Sequence, residues 1–188
     1  EHASVKMPVG CDAPAIVNVL ILDKTGTRIC SKYFTDRFPT ITAQLNYEKA
    51  VFLKSQKQPS TNDAEIIIFE GLVTVYKSQG EVTFFVTGDQ DENEIILVTV
   101  LTALVEACTK LIHGNLDSHS MLSSLDSVAL VMDELVDGGV ILEIDGSAIA
   151  SRVSMKSSEG EVPLHEQTPR QAFSTLREHL TRSIPILK

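Results

Sequence analysis

The spacing of three short apolar segments near the middle of the chain constrains the fold more than any other feature of the sequence. The segments are EIIIFEG, LVTVYKS and VTFFVTG, and only Gly71 and the turn around Gly80 separate them. Their β-branched and aromatic residues favour strands. A parallel crossover needs a dozen or more residues, so strands this close together pair as an antiparallel meander.

Two further strands and a helix are predicted before this meander. AIVNVLILD (15–23) ends at a turn supplied by Gly26, and RICSKYFT (28–35) follows it, which is typical of a β-hairpin. A helical pattern of apolar residues then begins at Pro39 and Thr40. The predicted order is therefore strand, strand, helix and three strands.

After the meander, the sequence predicts a pair of helices. The first runs from Glu92 to His113 and is apolar except for one narrow stripe that includes Glu106 and Lys110, charges that argue against a membrane span. A helix with so little polar surface is normally covered on more than one side. The second, predicted from Ser118 to Val136, is expected to pack antiparallel to the first.

The remainder of the chain is predicted to contain a short strand after Gly139, a short helix around 148–153 and a final amphipathic helix. Thr168, Pro169 and Gln171 fit a capping box at the start of that last helix. We therefore divide the chain into a flexible N-terminal segment (1–14), a folded domain (15–155) and a C-terminal extension (156–188) that carries the amphipathic helix.

Composition and motifs restrict the function. Sixteen basic against 25 acidic residues give a formal charge of −9, which opposes binding to nucleic acids and to anionic lipid surfaces. The three cysteines have no short spacing and an odd count, which predicts neither a complete disulfide framework nor a metal site. The sequence lacks a phosphate-binding glycine loop, a dinucleotide fingerprint and a nucleophile motif. We expect no enzymatic activity and no cofactor.

The acidic run DQDENE resembles the start of a calcium-binding loop. Asp89, Asp91 and Asn93 match its first, third and fifth positions, but Glu94 and Val100 stand where the loop needs Gly and Glu. We instead expect the acids to complement the dipole of the following helix, and Asp91 or Asn93 to cap it.

A second acidic cluster lies in VMDELVDGGVILE, residues 131–143. Its acids are predicted on the last turn of a helix, where the negative end of the helix dipole disfavours them. Either they pair within the chain, with a residue such as Lys32 or Arg152, or a basic surface of another protein docks there. Together with the apolar helix, they form a set of candidate partner-binding residues: Val98, Leu101, Val105, Asp133, Glu134 and Asp137.

Several motifs together resemble the family of small vesicle-coat subunits, which includes the zeta subunits of coatomer and the sigma chains of clathrin adaptors. They are EGLVTVYKS, ENE, MDELVDGGVILE, RV at 152–153 and VPLHEQT, and the resemblance spans about residues 15–184. It implies a longin-like α+β fold, in which a five-stranded antiparallel sheet has one helix on one face and a helical pair on the other, with an additional C-terminal helix.

The resemblance also implies a function and partners. It implies a non-catalytic subunit of the COPI coat that binds the trunk of the coatomer gamma subunit directly, within a subcomplex that includes the beta and delta subunits. The small GTPase Arf recruits such a coat to Golgi membranes for Golgi-to-ER retrograde and intra-Golgi transport. The chain would then be cytoplasmic and would reach membranes only through the coat.

Direct recognition of acidic dileucine sorting signals, as in the sigma chains, is the alternative. Val82, Phe84 and Val105 align roughly with the apolar patch that binds those signals, but Asn115 and Ser120 stand where the patch should end. Polar residues there would remove apolar contact area of the kind that drives such binding.

Overall fold

A five-stranded antiparallel sheet forms the centre of the fold, as predicted, and its strand order is β2-β1-β5-β4-β3. The computed structural model describes residues 16–57, 63–112 and 115–158. The N-terminal segment and the predicted helix after Thr168 lie outside the described residues, and the division into domain and extension stays a prediction. The strands are β1 Ile16–Asp23, β2 Arg28–Tyr33, β3 Glu65–Phe69, β4 Leu72–Gln79 and β5 Val82–Asp89.

One helix, α1 (Ile41–Ser55), covers one face of the sheet. It begins where the sequence predicts, because the hydroxyl of Thr40 accepts a hydrogen bond from the backbone N–H of Ala43 at 3.2 Å. Beneath it, the Tyr47 hydroxyl lies 3.0 Å from that of Thr74, so this buried polar group has a partner.

The opposite face is covered by α2 (Glu94–Leu111), which packs between the sheet and a further helix. The side chain of Asn93 accepts a hydrogen bond from the N–H of Ile95 at 2.9 Å, so Asn93 is the cap of the two candidates, Asp91 and Asn93. Leu97 lies over Gly88, where an added Cβ would come within 3.0 Å of the leucine side chain. This glycine allows the helix to approach the sheet closely.

The single helix predicted from Ser118 to Val136 is two helices in the structure, α3 (Ser118–Ser123) and α4 (Leu125–Leu135). The chain leaves helical geometry at Ser124, with φ −115° and ψ 27°. Serine side chains compete with the backbone for hydrogen bonds, and the Ser123 hydroxyl donates to the carbonyl of His119 at 2.8 Å. A serine-rich stretch thus interrupts an otherwise continuous helical pattern.

A two-residue turn follows α4 and corrects the prediction that Asp137 lies on a helix. Gly138 and Gly139 have φ of 55° and 85°, the left-handed values that a tight hairpin turn requires. They join β6 (Val136–Asp137) to β7 (Val140–Ile141), so Asp137 belongs to a strand.

The last described helix, α5 (Gly146–Ser158), is longer than the short helix predicted around 148–153. Its start is fixed by Asp145, whose carboxylate accepts hydrogen bonds from the backbone N–H groups of Ser147 at 2.8 Å and Ala148 at 3.2 Å. Apolar periodicity does not reveal this cap, which makes the helix begin before Ala148.

Candidate partner-binding surface

The acids at the end of α4 find cations within the chain. Asp133 forms an ion pair with Lys32 on β2. The Glu134 carboxylate lies 3.5 Å from a guanidinium nitrogen of Arg152, and the Glu143 carboxylate lies 2.8 Å from another. Of the two explanations for this cluster, pairing within the chain is therefore confirmed for Asp133 and Glu134. The added cations offset the unfavourable placement of carboxylates at a helix C-terminus.

Glu143 is held mainly by backbone hydrogen bonds. Its carboxylate accepts from the N–H groups of Asp145 and Ile144, and together with Arg152 these bonds lower its pKa below the usual value. The charged form is thus favoured by the chain itself. This part of the acidic cluster needs no external cation.

Asp137 differs from its neighbours, because its side chain is exposed on β6. Within residues 16–57, 63–112 and 115–158 it has no ion pair. Of the three acids that the sequence singles out, it alone offers an unneutralised charge within this part of the chain.

The three candidate residues on α2 have different degrees of burial. Leu101 is fully buried in the core and Val105 is 8% exposed, whereas Val98 is half-buried and packs against the core from outside. Gly146, at the start of α5, approaches α2 at Ala103, on the flank of α2 away from Val98. At 100° per residue, Val98 therefore lies on the flank that faces away from α5.

Three isoleucines that the sequence analysis did not single out are more exposed than any of these. Ile66 and Ile68 on the edge strand β3 are 43% and 66% exposed, and Ile95 on the first turn of α2 is 74% exposed. Ile66 pairs with Val75 and Ile68 with Val73, and both valines lie in the core beneath α2. Residues directly opposite in an antiparallel pair point to the same face of the sheet. Ile66 and Ile68 therefore continue the α2 face outward to its edge.

We call Ile66, Ile68, Ile95 and Val98 the α2–β3 surface. Three consecutive isoleucines in EIIIFEG predicted a strand, but only the strand order reveals that β3 is an edge and that α2 leaves part of it uncovered. These residues lie on the sheet face that α2 covers and on α2 itself, and exposed apolar patches on a folded domain often mark a protein interface.

The positions that align with a dileucine site are filled from within the chain. Val82 and Phe84 are buried. The carbonyl of the buried Leu116 accepts a hydrogen bond from the N–H of Glu81 at 2.9 Å, and a Cβ on Gly80 would lie 2.5 Å from that oxygen. The segment that carries Asn115 is thus drawn tightly against the β4–β5 turn.

Other kinds of site find no support in the part of the chain that the structure describes. Across its three described ranges, no group of three or more His, Cys, Asp and Glu side chains is placed to hold a metal ion. Among the described helices, none is long and apolar enough to cross a membrane.

Comparison with known proteins gives consistent similarities. The profile of the clathrin adaptor complex small chain family matches residues 15–159. Coatomer subunit zeta-1 of Oryza sativa subsp. japonica is 46% identical over 171 residues, which cover 91% of this chain and 97% of that protein. Coatomer subunit zeta-1 of Homo sapiens is 36% identical over 166 residues, which cover 88% and 90%.

A structural comparison agrees on the fold. A chain in a homology model of the full-length AP-3 complex in a stretched open conformation superposes with a TM-score of 0.64 at 17% identity, covering 78% of this chain and 95% of that chain. At this identity the likeness establishes the fold alone.

Proposed function

The chain belongs to the clathrin adaptor small chain family, with coatomer zeta subunits among its relatives, and on that premise we propose that it is a non-catalytic small subunit of the COPI coat that binds the trunk of the gamma subunit. In this proposal the α2–β3 surface is the main contact with the trunk. The chain would then complete and stabilise a larger subunit, a structural role that requires no catalysis.

The observation that carries the proposal is the uncovered apolar surface beside α2. The chain has two hydrophobic clusters, one on each face of the sheet, yet Ile68 and Ile95 remain 66% and 74% exposed. Removing apolar surface from water contributes roughly 25 cal/mol per Å² before the entropy cost of association is subtracted. A trunk that covers these residues would gain that energy without unfolding any part of the domain.

The proposed roles of the six candidate residues follow from their burial. Val98 would contact the trunk directly. Val105, which is 8% exposed, would contribute only a small contact area. Leu101 would act through the packing of α2, because its side chain has no exposed surface. Asp133 and Glu134 would contribute little, since their charges are matched within the chain, whereas Asp137 would be free to meet a cation of a partner.

The wider assembly is part of the same proposal. We propose that the gamma subunit links this chain to the beta and delta subunits, and that Arf recruits the assembled coat. The chain would then be cytoplasmic and peripheral on Golgi membranes and COPI vesicles. Its charge of −9 suits an arrangement in which other subunits make the contact with anionic lipid headgroups.

Co-expression with the trunk of a coatomer gamma subunit tests the proposal. The wild-type chain should copurify with the trunk, and the double variant Ile68→Lys, Ile95→Lys should lose at least about tenfold in affinity, as expected when central apolar contacts are replaced by charges. Leu122→Lys is the matched control, because Leu122 is 55% exposed on α3, away from this surface, and it should copurify normally.

Circular dichroism melting of each free variant separates lost binding from lost folding. A folded double variant that still copurifies like the wild type would show that this surface is not the contact. A stable wild-type monomer that does not associate with the trunk would contradict the proposed function as a whole.

A further inference from the structure

A concave surface lies on the face of the sheet that α1 covers, opposite the α2–β3 surface. A cavity of about 500 Å³ opens between α1 and the β1–β2 turn, within the range of roughly 300–1,000 Å³ that is usual for ligand sites. Leu45, Phe52 and Leu53 form its helix wall, and residues 25–27 form the wall opposite.

The turn wall is rigid. One oxygen of the Asp23 carboxylate accepts hydrogen bonds from the backbone N–H groups of Thr25 and Thr27, both at 2.8 Å, and from the Thr25 hydroxyl at 2.7 Å. Gly26 has φ +80°, and a Cβ there would lie 2.5 Å from the Phe52 ring. The turn is thus fixed against α1 by interactions of the chain itself, so the cavity needs no ligand to form.

Two charges at the base of the cavity neutralise each other. The Arg28 guanidinium binds both oxygens of Glu48, with Nε 3.0 Å from Oε2 and Nη2 2.6 Å from Oε1. The Tyr33 hydroxyl donates to the same carboxylate at 2.8 Å. Glu48 is only 2% exposed, and bidentate pairs of this kind are among the strongest in proteins. Neither charge is available to attract a ligand.

Lys49 is the remaining charge in the lining, and it is exposed. No carboxylate of the described residues lies within ion-pair distance of it. Beside it, Leu45 and Leu53 are 40% and 62% exposed at the mouth. The cavity therefore combines apolar walls with a cation that no carboxylate in 16–57, 63–112 or 115–158 neutralises, on a chain whose formal charge is −9.

We propose that this α1 cavity binds a short peptide segment of a partner protein, in which one or two large apolar side chains are followed closely by a carboxylate. The apolar side chains would pack against Leu45, Phe52 and Leu53 on the helix wall, and the carboxylate would pair with Lys49. A second copy of this chain is a poor occupant, because two chains of charge −9 repel each other. This inference is independent of the α2–β3 surface and of the gamma subunit.

The chain offers a direct optical probe of the cavity. It contains no tryptophan, so Leu53→Trp places a single indole at the mouth, and Leu122→Trp provides a matched control on α3. A phage-displayed library of random 12-residue peptides is selected on the wild-type chain and depleted on the variant Leu45→Lys. Peptides that survive are synthesised and titrated against both tryptophan variants.

We expect the surviving peptides to share large apolar residues beside Asp or Glu, and to shift the emission of Leu53→Trp but not that of Leu122→Trp. Lys49→Glu should weaken their binding by roughly tenfold or more, the size expected for the loss of one charged hydrogen bond. Lys77→Glu, on β4, is the charge-matched control and should bind as the wild type does. Circular dichroism confirms that each variant is folded.

Three results would overturn the proposal. The first is a selection that yields no peptide able to distinguish wild type from Leu45→Lys. The second is a set of peptides without an acidic residue, or with affinity unchanged by Lys49→Glu. The third is concentration-dependent dimerisation abolished by Leu45→Lys, which would make the cavity a contact between copies of this chain. Each result leaves the test of gamma-subunit binding unaffected, since that test uses residues on the opposite face of the sheet.

Discussion

At the end of α4, Asp133 and Glu134 each have a cation within the chain, Lys32 and Arg152, whereas Ile68 on the α2–β3 surface remains 66% exposed. The acids look like a functional site in sequence because they oppose the helix dipole. The isoleucine looks like an ordinary strand residue. An unusual cluster of charges in the sequence can thus be neutralised within the fold. An ordinary apolar strand can instead leave side chains exposed until a partner covers them.

The largest expected effect is a difference in stability between a core variant and a surface variant of α2. Leu101→Ala should lower the free energy of unfolding by about 2–5 kcal/mol, because it opens a cavity beside fully buried neighbours. Ile95→Ala, at a residue that is 74% exposed, should change it by less than about 0.5 kcal/mol. Urea unfolding of both variants checks the pair. Similar losses for the two would mean that Ile95 is already packed, and that the α2–β3 surface is not available to a partner.

A smaller effect is expected from the Lys32–Asp133 pair. Asp133→Lys should lower the free energy of unfolding by roughly 0.2–1 kcal/mol, because both side chains are partly exposed. The exchanged pair Lys32→Asp, Asp133→Lys should recover most of this loss. Asp137→Lys, at a residue without an ion pair in the described part of the chain, should have less effect than Asp133→Lys. Thermal and urea melts provide the measurements.

The same variants test the other explanation for the acids, that a basic surface of a partner binds them. If a basic partner surface docks at these acids, reversing the charges of Asp133 and Asp137 should weaken assembly more than folding. With Asp133 paired internally, we now expect the exchanged pair to bind the gamma trunk as the wild type does. If the exchanged pair restores stability but does not bind the trunk, the partner itself recognises these charges.

Much of the fold could be predicted from the sequence, for identifiable reasons. The meander followed from the short spacing around Gly71 and Gly80. The helical pattern that opens at Thr40 and the candidate cap Asn93 located the starts of α1 and α2, where the structure shows both side chains as caps. These are local features, set by residues within a few positions of each other.

The features that the sequence did not reveal depend on contacts between distant residues. Lys32 and Arg152 could be named as candidate cations, but which acid each one meets, and whether a partner supplies the cation instead, depends on contacts such as the one that joins β2 to α4 across 101 positions. The exposure of Ile66 and Ile68 depends on strand order, which makes β3 an edge. No periodicity within EIIIFEG distinguishes a covered isoleucine from an uncovered one.

The smallest expected effect concerns pH. Backbone hydrogen bonds from Ala148 and Ser147 lower the pKa of Asp145 below its ordinary value of 3.8. A lowered folded-state pKa adds stability that is present above 3.8 and is lost as pH falls through the lower folded value. Asp145→Asn should therefore be slightly less stable than wild type at pH 7, and this difference should shrink as pH falls below 3.8.

Urea midpoints measured at pH 7 and at successively lower pH check this prediction. Asp137→Asn is the control, because no described hydrogen bond or ion pair holds that carboxylate, and it should match wild type at neutral pH. A stability difference for Asp145→Asn that is independent of pH would mean that the charge of the cap contributes nothing.

Amide hydrogen exchange, compared between the free chain and the chain bound to the gamma trunk, shows which of the two regions the trunk covers. Exchange reports local opening and burial segment by segment. We predict that binding adds protection in β3, at 65–69, and in the first turns of α2, at 94–98, with little change at 133–137. Added protection confined to 133–143, with β3 and α2 unchanged, would contradict the account and make the acidic end of α4 the interface.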